Sequence, residues 1–211
     1  MEKGDLFFMT GKTHVTAGMA LTMLITQPST VAETVMCLGV ASIGSVISDV
    51  DVSTSKSRKN FNKIMIVITI SVILVALAEL IFHVGIVREI SNNSNILRMI
   101  IGIMALIIIC MFGKNSPHRS FMHSFLGLAL MTISAYIILP EFALYMAISV
   151  STHIFLDIFN KKKVKLFYPL KKPAIGLKLC SAGGLVDSII FRISGILLAG
   201  ELIVKIASFL S

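Results

Sequence analysis

The amino-acid sequence predicts an all-α membrane protein, in which one polytopic bundle of about six or seven helices occupies residues 1–211. Hydrophobic residues make up 55% of the chain and charged residues 14%, whereas a soluble domain averages about 45–50% and about 25%. The apolar residues form runs that approach the ~20 residues needed to cross a bilayer. Most basic residues lie in loops beside these runs, so the net charge of +8 indicates contact with anionic lipid headgroups rather than with nucleic acid.

Polar turns divide the chain into its predicted helices. The first, at 14–26, is short for a span, so we expect either a half-span or an extension back to Leu6. A polar turn at 27–30 ends it. Further helices are predicted at 31–48, 63–82, 96–112, 141–159 and 184–209, with a polar loop at 53–62 and a basic loop at 160–182.

The fifth predicted helix has the clearest boundaries. Ser116 is a good N-cap and Pro117 suits the first helical position, because proline lacks the N–H that is unpaired there. We expect this helix to run to Leu139, since Pro140 cannot continue it.

Tracing these helices through a membrane sorts the charges onto two faces. The face that carries the N-terminus receives all of the 19 Lys and Arg except Arg88, Arg98 and Lys205. The positive-inside rule therefore predicts that this face is cytoplasmic. Every aspartate, and every histidine except His83, falls on the same face; we assign no role to His83.

Seven side chains of metal-ligand type lie at the ends of apolar segments on this face. Burying a charge in hydrocarbon costs at least about 2.5–3.5 kcal/mol, so ionisable residues in such segments are functional candidates. The set comprises His14, Asp49, Asp51, His118, His123, His153 and Asp157.

The strongest local pattern is His153 with Asp157. Residues four apart share a helix face, and imidazole with carboxylate suits zinc or manganese; the alternative is a polar pair that satisfies itself. Asp49 and Asp51 would lie on opposite faces of a helix, so they converge only if the backbone leaves the helix there. Otherwise they form a solvated helix end.

Three residues open the fifth predicted helix. Arg119 and His123 are four apart and would share a face, and Arg119 could clamp a phosphate or carboxylate. His118 and His123 are five apart, or about 140° around a helix, so both reach one site only from opposite flanks or through an irregular first turn. The alternative is an interfacial arginine with two surface histidines.

Other candidates carry less information. His14 follows a plausible N-cap and gains weight only from the other residues on its face. Asp187, in the first turn of the last helix, is favoured there by the helix dipole, and it could also supply a further ligand or a hydrogen bond to one. Cys37, Cys110 and Cys180 lack metal-site or CxxC spacing, so we expect no disulfide.

At these residues the chain resembles the YdjM-like family of bacterial inner-membrane proteins, which are described as metal-dependent hydrolases. The resemblance rests on His14, on Asp49-Val-Asp51, on His118-Arg119-Ser120 with His123-Ser124, and on His153-Ile-Phe-Leu-Asp157. Ser48 stands where the family commonly has proline, and Asp187 where it often has glutamate. The His-x3-Asp helix is also similar to one in helical zinc phospholipases and nucleases, which favours a phosphodiester substrate.

Together these features predict a multi-pass inner-membrane protein that hydrolyses a small or lipid-like ester or phosphoester at the cytoplasmic leaflet. The expected cofactor is a divalent metal, zinc or manganese, bound as one or two ions. A metal would lower the pKa of bound water to about 7. Asp51 is a ligand or the base, and Arg119 binds the anionic part of the substrate. The rivals are a transporter or metal-ion permease, and a non-catalytic membrane protein with a structural metal. The expected ligands are His14, Asp49, His118, His123, His153 and Asp157.

Overall fold

The computed structural model describes residues 9–53, 55–82, 93–179 and 184–210, and this part of the chain is built from seven α-helices without a β-strand. The all-α prediction is confirmed. The helices are α1 (Gly11–Thr26), α2 (Val31–Ile47), α3 (Lys56–Phe82), α4 (Ser94–Asn115), α5 (Phe125–Ile138), α6 (Pro140–Ile158) and α7 (Leu185–Leu210). Two 3₁₀ turns, Ser48–Asp51 and Phe121–His123, follow α2 and precede α5.

Within the described residues, four segments are long and apolar enough to cross a membrane: Val31–Asp51, Ser94–Asn115, Pro140–Ile158 and Leu185–Leu210. Their outward faces are apolar, as Val35, Ile108 and Ile196 illustrate with exposed fractions of 63%, 61% and 74%. In contrast, α1 has 16 residues, or about 24 Å at the usual helical rise. It is therefore shorter than the ~30 Å hydrocarbon core of a bilayer.

Small residues bring α1, α2 and α6 close together. A Cβ atom at Gly18 of α1 would collide with the Ser45 hydroxyl of α2, and one at Gly44 of α2 would collide with the Ser149 hydroxyl of α6. Such contacts between small residues are typical of helix packing in membranes. They bring the backbone of α2 close to His153 of α6, which forms the strongest local metal-site pattern in the sequence together with Asp157.

The predicted start of the fifth helix is wrong. Residues 117–124 form a turn and the Phe121–His123 3₁₀ helix, and α5 begins only at Phe125. Arg119 has a φ of 60°, because its N–H donates to Asp51 Oδ2 and its carbonyl accepts from the N–H of Lys165. The N-cap of α5 is Ser124, whose side chain accepts from the N–H of Gly127.

Two predicted loops also differ in detail. The loop at 53–62 is shorter than expected, since α3 begins at Lys56 and the Ser55 hydroxyl accepts from the N–H of Arg58. The basic loop at 160–182 folds back on itself through a bridge between Val164 and Ile175. Leu6, His83, Arg88 and Cys180, on which sequence expectations fall, lie outside the described residues.

Candidate metal centre

All eight predicted site residues meet at one end of the bundle. His14 comes from the first turn of α1, and the pair Asp49 and Asp51 comes from the 3₁₀ turn that ends α2. His153 and Asp157 come from the last turns of α6. The segment between α4 and α5 supplies His118, Arg119 and His123.

Four donor atoms face one another at the centre of this cluster. His123 Nε2 lies 3.2 Å from His153 Nε2 and 3.1 Å from Asp157 Oδ2. His153 Nε2 lies 3.7 Å from Asp49 Oδ1 and 3.9 Å from Asp157 Oδ2. Zinc–ligand bonds of about 2.0–2.1 Å in a tetrahedron place neighbouring ligand atoms about 3.3 Å apart. The spacings among His123, His153 and Asp157 and the spacing from His153 to Asp49 are close to that value, so donors from this set could hold a divalent ion.

The tautomer of His153 is fixed by its second nitrogen. His153 Nδ1 lies 2.6 Å from the backbone carbonyl of Ser45. Because a carbonyl can only accept, Nδ1 carries the hydrogen, and Nε2 is left with a lone pair that points into the cluster. This is the usual arrangement of a metal-binding histidine, whose other N–H donates to a backbone carbonyl or carboxylate.

The two oxygens of Asp157 also have separate partners. Oδ1 accepts from the Arg119 guanidinium at 2.9 Å and from Asn160 Nδ2 at 2.7 Å. The Asn160 side chain is held in turn by the N–H of Met9, which donates to its Oδ1 at 2.8 Å. These contacts turn the carboxylate so that Oδ2 faces the two imidazoles.

Asp51 lies behind the histidines. Its Oδ1 is 2.9 Å from His118 Nδ1, and its Oδ2 accepts from the N–H of Arg119 and lies 3.3 Å from His123 Nδ1. Asp51 thus contacts the nitrogen of His123 that faces away from the central group. A carboxylate in that position orients a histidine and raises its basicity.

The charge on His123 is set by opposing effects. Burial disfavours its imidazolium form, but the carboxylates of Asp157 and Asp51, 3.1 Å and 3.3 Å from its two ring nitrogens, raise the pKa of His123 to about 10. A cation at the centre would take the place of a proton on His123 Nε2, beside Asp157, because metal binding to histidine generally displaces such a proton.

His14 flanks the central group. Its Nε2 lies 3.5 Å from Asp157 Oδ1, and its ring centroid lies 4.2 Å from that of His153, with the two ring planes tilted by 30°. His14, His153 and Asp157 form one triplet that could hold a metal, and Asp49, His123 and His153 form another. Because both triplets need the single free nitrogen of His153, the geometry favours one ion over two.

The predicted residues therefore divide into those in or beside the central group, which are His14, Asp49, His123, His153 and Asp157, and those at its edge. His118, Asp51 and Arg119 contact one another or Asp157 at the edge of the central group. Arg119 is 2% exposed, and its guanidinium is occupied by Asp157 and by the carbonyl of Lys162. The premise that Arg119 shares a helix face with His123 is wrong, because the chain is not α-helical between them.

Asp187 contacts the residues that begin α1. Its Oδ1 accepts from the Thr13 hydroxyl at 2.6 Å and from the N–H of Thr10 at 3.3 Å, so it stabilises the start of α1. Sequence reasoning missed Asn160 and the Ser45 carbonyl. Asn160 could have been found, because it follows Asp157 by three residues. The carbonyl could not, since every residue carries one.

Within the described part of the chain, the cluster is exposed at Asp49 and His118. The side chains of Asp49 and His118 are 25% and 26% exposed, whereas those of His14, His123, His153 and Asp157 are 3% exposed or less. A ligand that reached the central group would therefore arrive beside Asp49 and His118.

Comparison with protein families identifies a family that matches this chain. The family described as YdjM inner membrane protein matches residues 9–209, which include every member of the cluster. Neither the curated proteins nor the solved structures contain a match. Because the match covers nearly the whole chain, the protein belongs to this family of inner membrane proteins.

Proposed function

We propose that this YdjM-family chain is a metal-dependent hydrolase of the inner membrane, which acts at the cytoplasmic leaflet on a lipid-derived ester or phosphoester. The observation that carries the proposal is the cluster of donor atoms in which His123 Nε2, His153 Nε2 and Asp157 Oδ2 lie 3.1–3.9 Å apart and Asp49 Oδ1 lies 3.7 Å from His153 Nε2, close to the separations between neighbouring ligands of a zinc ion. Two imidazoles and two carboxylates are donors that suit zinc or manganese.

The residues around the ligands have the properties that such a site needs. The Ser45 carbonyl orients His153, and Asp51 orients His123. Arg119 and Asn160 each contact Asp157 and orient its carboxylate. A divalent ion there would lower the pKa of a bound water to about 7 and polarise the scissile bond. The carboxylate of Asp49, on the accessible edge, is then the ligand closest to an incoming substrate.

The position of the cluster supports a lipid-derived substrate. It lies at the ends of α2 and α6, both of which can cross a membrane, and therefore near the level of the headgroups. The Lys162 carbonyl accepts from Arg119, so the exposed lysines at 161–163 lie beside the cluster. Basic side chains at that level attract anionic headgroups.

Arg119 takes a different role in this proposal from the one its sequence suggests. Its guanidinium is buried and paired with Asp157, so we assign it the positioning of that carboxylate rather than the binding of substrate. Asp51 is likewise a positioning residue for His118 and His123.

A non-catalytic metal site is the second candidate, and the burial of the ligands favours it. Catalytic zinc sites keep one position open for water or substrate, whereas structural sites are closed. The side chains of His123, His153 and Asp157 are buried, whereas that of Asp49 is 25% exposed. Whether water or substrate reaches the ion beside Asp49 therefore distinguishes a catalytic site from a structural one.

Metal analysis and hydrolysis assays on the purified full-length protein test the proposal. The wild type should retain a divalent metal and cleave phospholipid or nitrophenyl phosphodiester substrates, and His153→Ala should lose both properties. Glu141→Gln is the matched control, because Glu141 is exposed at the other end of the same helix. Metal binding without cleavage of any ester would support the structural role instead, and absence of metal would overturn both.

A further inference from the structure

The turn at residues 165–172, within the basic loop that follows α6, packs against the start of α5. The N–H of Phe125, the first residue of α5, donates to the Leu166 carbonyl at 2.9 Å. The ring centroids of Phe125 and Phe167 lie 5.5 Å apart, edge to face, and those of Phe121 and Tyr168 lie 6.2 Å apart. The turn is therefore fixed at the level where α5 begins.

The start of α5 lies deeper in the bundle than the end of α6. The two helices pack side by side, and Leu139 is the single residue between them. They contain 14 and 19 residues, or about 21 Å and about 28 Å at the usual helical rise. Because α6 nearly matches the ~30 Å hydrocarbon core of a bilayer, α5 begins about 7 Å inside the lipid boundary. Amphipathic segments at membrane surfaces bury their apolar side to a similar depth of about 5–10 Å.

The apolar side chains of the turn continue the outer surface of α5. Leu126 and Ile133 of α5 are seven residues apart, share a helix face and are exposed. Phe125 is exposed beside them, and it contacts Phe167, which is also exposed. Leu170 extends this surface with an exposed fraction of 63%. A continuous apolar surface of this kind indicates contact with lipid or a partner rather than with water.

The backbone of the turn suits this depth, because its hydrogen bonds are made within the protein. The N–H of Tyr168 donates to the Lys165 carbonyl, and the N–H of Leu170 donates to the Phe167 carbonyl. Pro169 has no N–H to satisfy. Backbone polar groups near hydrocarbon must be paired internally, since lipid tails offer no hydrogen-bond partner.

Lysines surround the apolar side chains of the turn. The segment 160–182 contains seven lysines and no aspartate or glutamate. The ammonium of Lys172 lies 4.7 Å from the centroid of the Phe167 ring, and Lys171 beside it is exposed. Apolar side chains next to ammonium groups are typical of segments that bind the surface of an anionic membrane.

We propose that the 165–172 turn inserts into the leaflet at the end of the bundle that holds the metal cluster, and that it binds anionic phospholipid there. Phe167 and Leu170 contact the upper part of the acyl chains, and Lys171 and Lys172 contact the lipid phosphates. The occupant is lipid because the turn continues the outer surface of an apolar helix in the membrane. It is anionic because every charge in the segment is positive. The inference is independent of the metal centre and of the hydrolase proposal.

The depth of the turn can be measured by fluorescence in the full-length protein. The chain contains no tryptophan, so Phe167→Trp provides a single fluorophore in reconstituted vesicles. We expect blue-shifted emission and the strongest quenching by phospholipids that are brominated near the headgroup end of the acyl chain. Ile133→Trp is the matched reference. It lies about 12 Å further along α5 than Phe125, so bromine deeper in the chain should quench it best.

Vesicles in which either phosphatidylglycerol or phosphatidylcholine carries the bromine show which lipid contacts the turn. In Phe167→Trp we expect phosphatidylglycerol to be preferred by roughly 5- to 30-fold, the range for one or two lysines near an anionic surface. Ile133→Trp should show no preference. In the Phe167→Trp protein, replacing Lys171 and Lys172 by glutamine should abolish the preference. The same change at Lys56 and Lys59, exposed lysines in the first turn of α3, should retain it.

Three results would overturn the proposal. Emission typical of water for Phe167→Trp, without quenching by either brominated lipid, would place the turn outside the membrane and favour an acidic protein as its partner. Equal quenching by brominated phosphatidylglycerol and phosphatidylcholine would show that the lysines select no lipid. Equal losses of preference in the two lysine pairs would show a general effect of net charge rather than binding at this turn. Thermal unfolding should be the same for both lysine pairs.

Discussion

His153 uses its two ring nitrogens for different purposes, and this division explains why it is central to the cluster. Nδ1 is bonded to the Ser45 carbonyl, which leaves Nε2 for His123, Asp49 and Asp157. Asp157 repeats the principle, with one oxygen held by Arg119 and Asn160 and the other directed inward. Such fixed orientations reduce the conformational entropy that metal binding would otherwise cost.

Residues whose donor atoms face the central group should differ in their effect on metal affinity from residues that contact the outer atoms of those ligands. We expect Asp157→Asn to abolish stoichiometric zinc binding, and Asp51→Asn to weaken it by about 10- to 100-fold without abolishing it, as is usual for residues that orient ligands. Competition of the purified variants with a fluorescent zinc chelator measures both affinities. Equal losses in the two variants would show that Asp51 is itself a ligand.

Substitution of Arg119 should mainly lower the free energy of unfolding of the protein. Its guanidinium is buried against Asp157, and breaking a buried pair by removing one partner costs about 3–5 kcal/mol. We therefore expect a lower unfolding free energy for Arg119→Ala. Arg119→Lys should restore only part of it, because an ammonium cannot reach both Asp157 and the Lys162 carbonyl with the geometry of a guanidinium.

Unfolding in mixed detergent, followed by circular dichroism, measures the stability of these Arg119 variants. If Arg119→Ala unfolded like the wild type but raised only the KM for an anionic substrate, the arginine would be an anion clamp after all.

At the scale of elements, the close packing of α2 on α6 determines where the Ser45 carbonyl lies. Gly44 contacts Ser149 so closely that a Cβ would collide with its hydroxyl, whereas a Cβ at Gly39 of the same helix meets no atom within 4 Å. We expect Gly44→Ala to destabilise the protein by about 1–3 kcal/mol through overpacking.

Gly39→Ala should instead be neutral or stabilise the protein by up to about 1 kcal/mol, since alanine favours helix more than glycine does. Both variants should be compared by thermal unfolding and by zinc affinity. Similar behaviour of the two variants would mean that this contact does not position the site.

The helices themselves were largely predictable, because apolar runs bounded by polar turns and prolines specify them directly. Pro140 ends α5 and begins α6 as expected. The segment at 117–124 was not predictable from local signals, since Ser116 and Pro117 have the pattern of a helix start. Its conformation depends instead on Asp51 and Lys165, which are distant in sequence and bond to the backbone of Arg119.

At the scale of the molecule, charge determines orientation. The described basic side chains concentrate at the end of the bundle that holds the cluster, so we expect this end to face the cytoplasm. In a protein with its native cysteines replaced, a cysteine at the exposed Lys171 should react with a membrane-impermeant maleimide only in inside-out vesicles. One at the exposed Asn95, in the first turn of α4 at the other end, should react only in right-side-out vesicles, and the reverse pattern would contradict this orientation.

The site illustrates what a sequence can and cannot specify about a membrane protein. Ionisable residues are easily recognised among apolar ones, so the residues of the cluster could be identified from the free-energy cost of placing ionisable side chains in a membrane. Their separate roles could not, because they depend on which atom of each side chain faces inward. The assignment of Asp51 and His118 behind His123, and of Arg119 on Asp157, required the relative positions of α2, α6 and the turn before α5.

X-ray absorption at the metal K-edge, combined with elemental analysis of the purified protein, tests the central claim most directly. We expect one zinc or manganese ion per chain, surrounded at about 2.0–2.2 Å by nitrogen and oxygen, with scattering from at least two imidazole rings. His123→Ala and His153→Ala should each remove the ion. A protein that binds no stoichiometric metal, or a bound metal without imidazole ligands, would contradict the account.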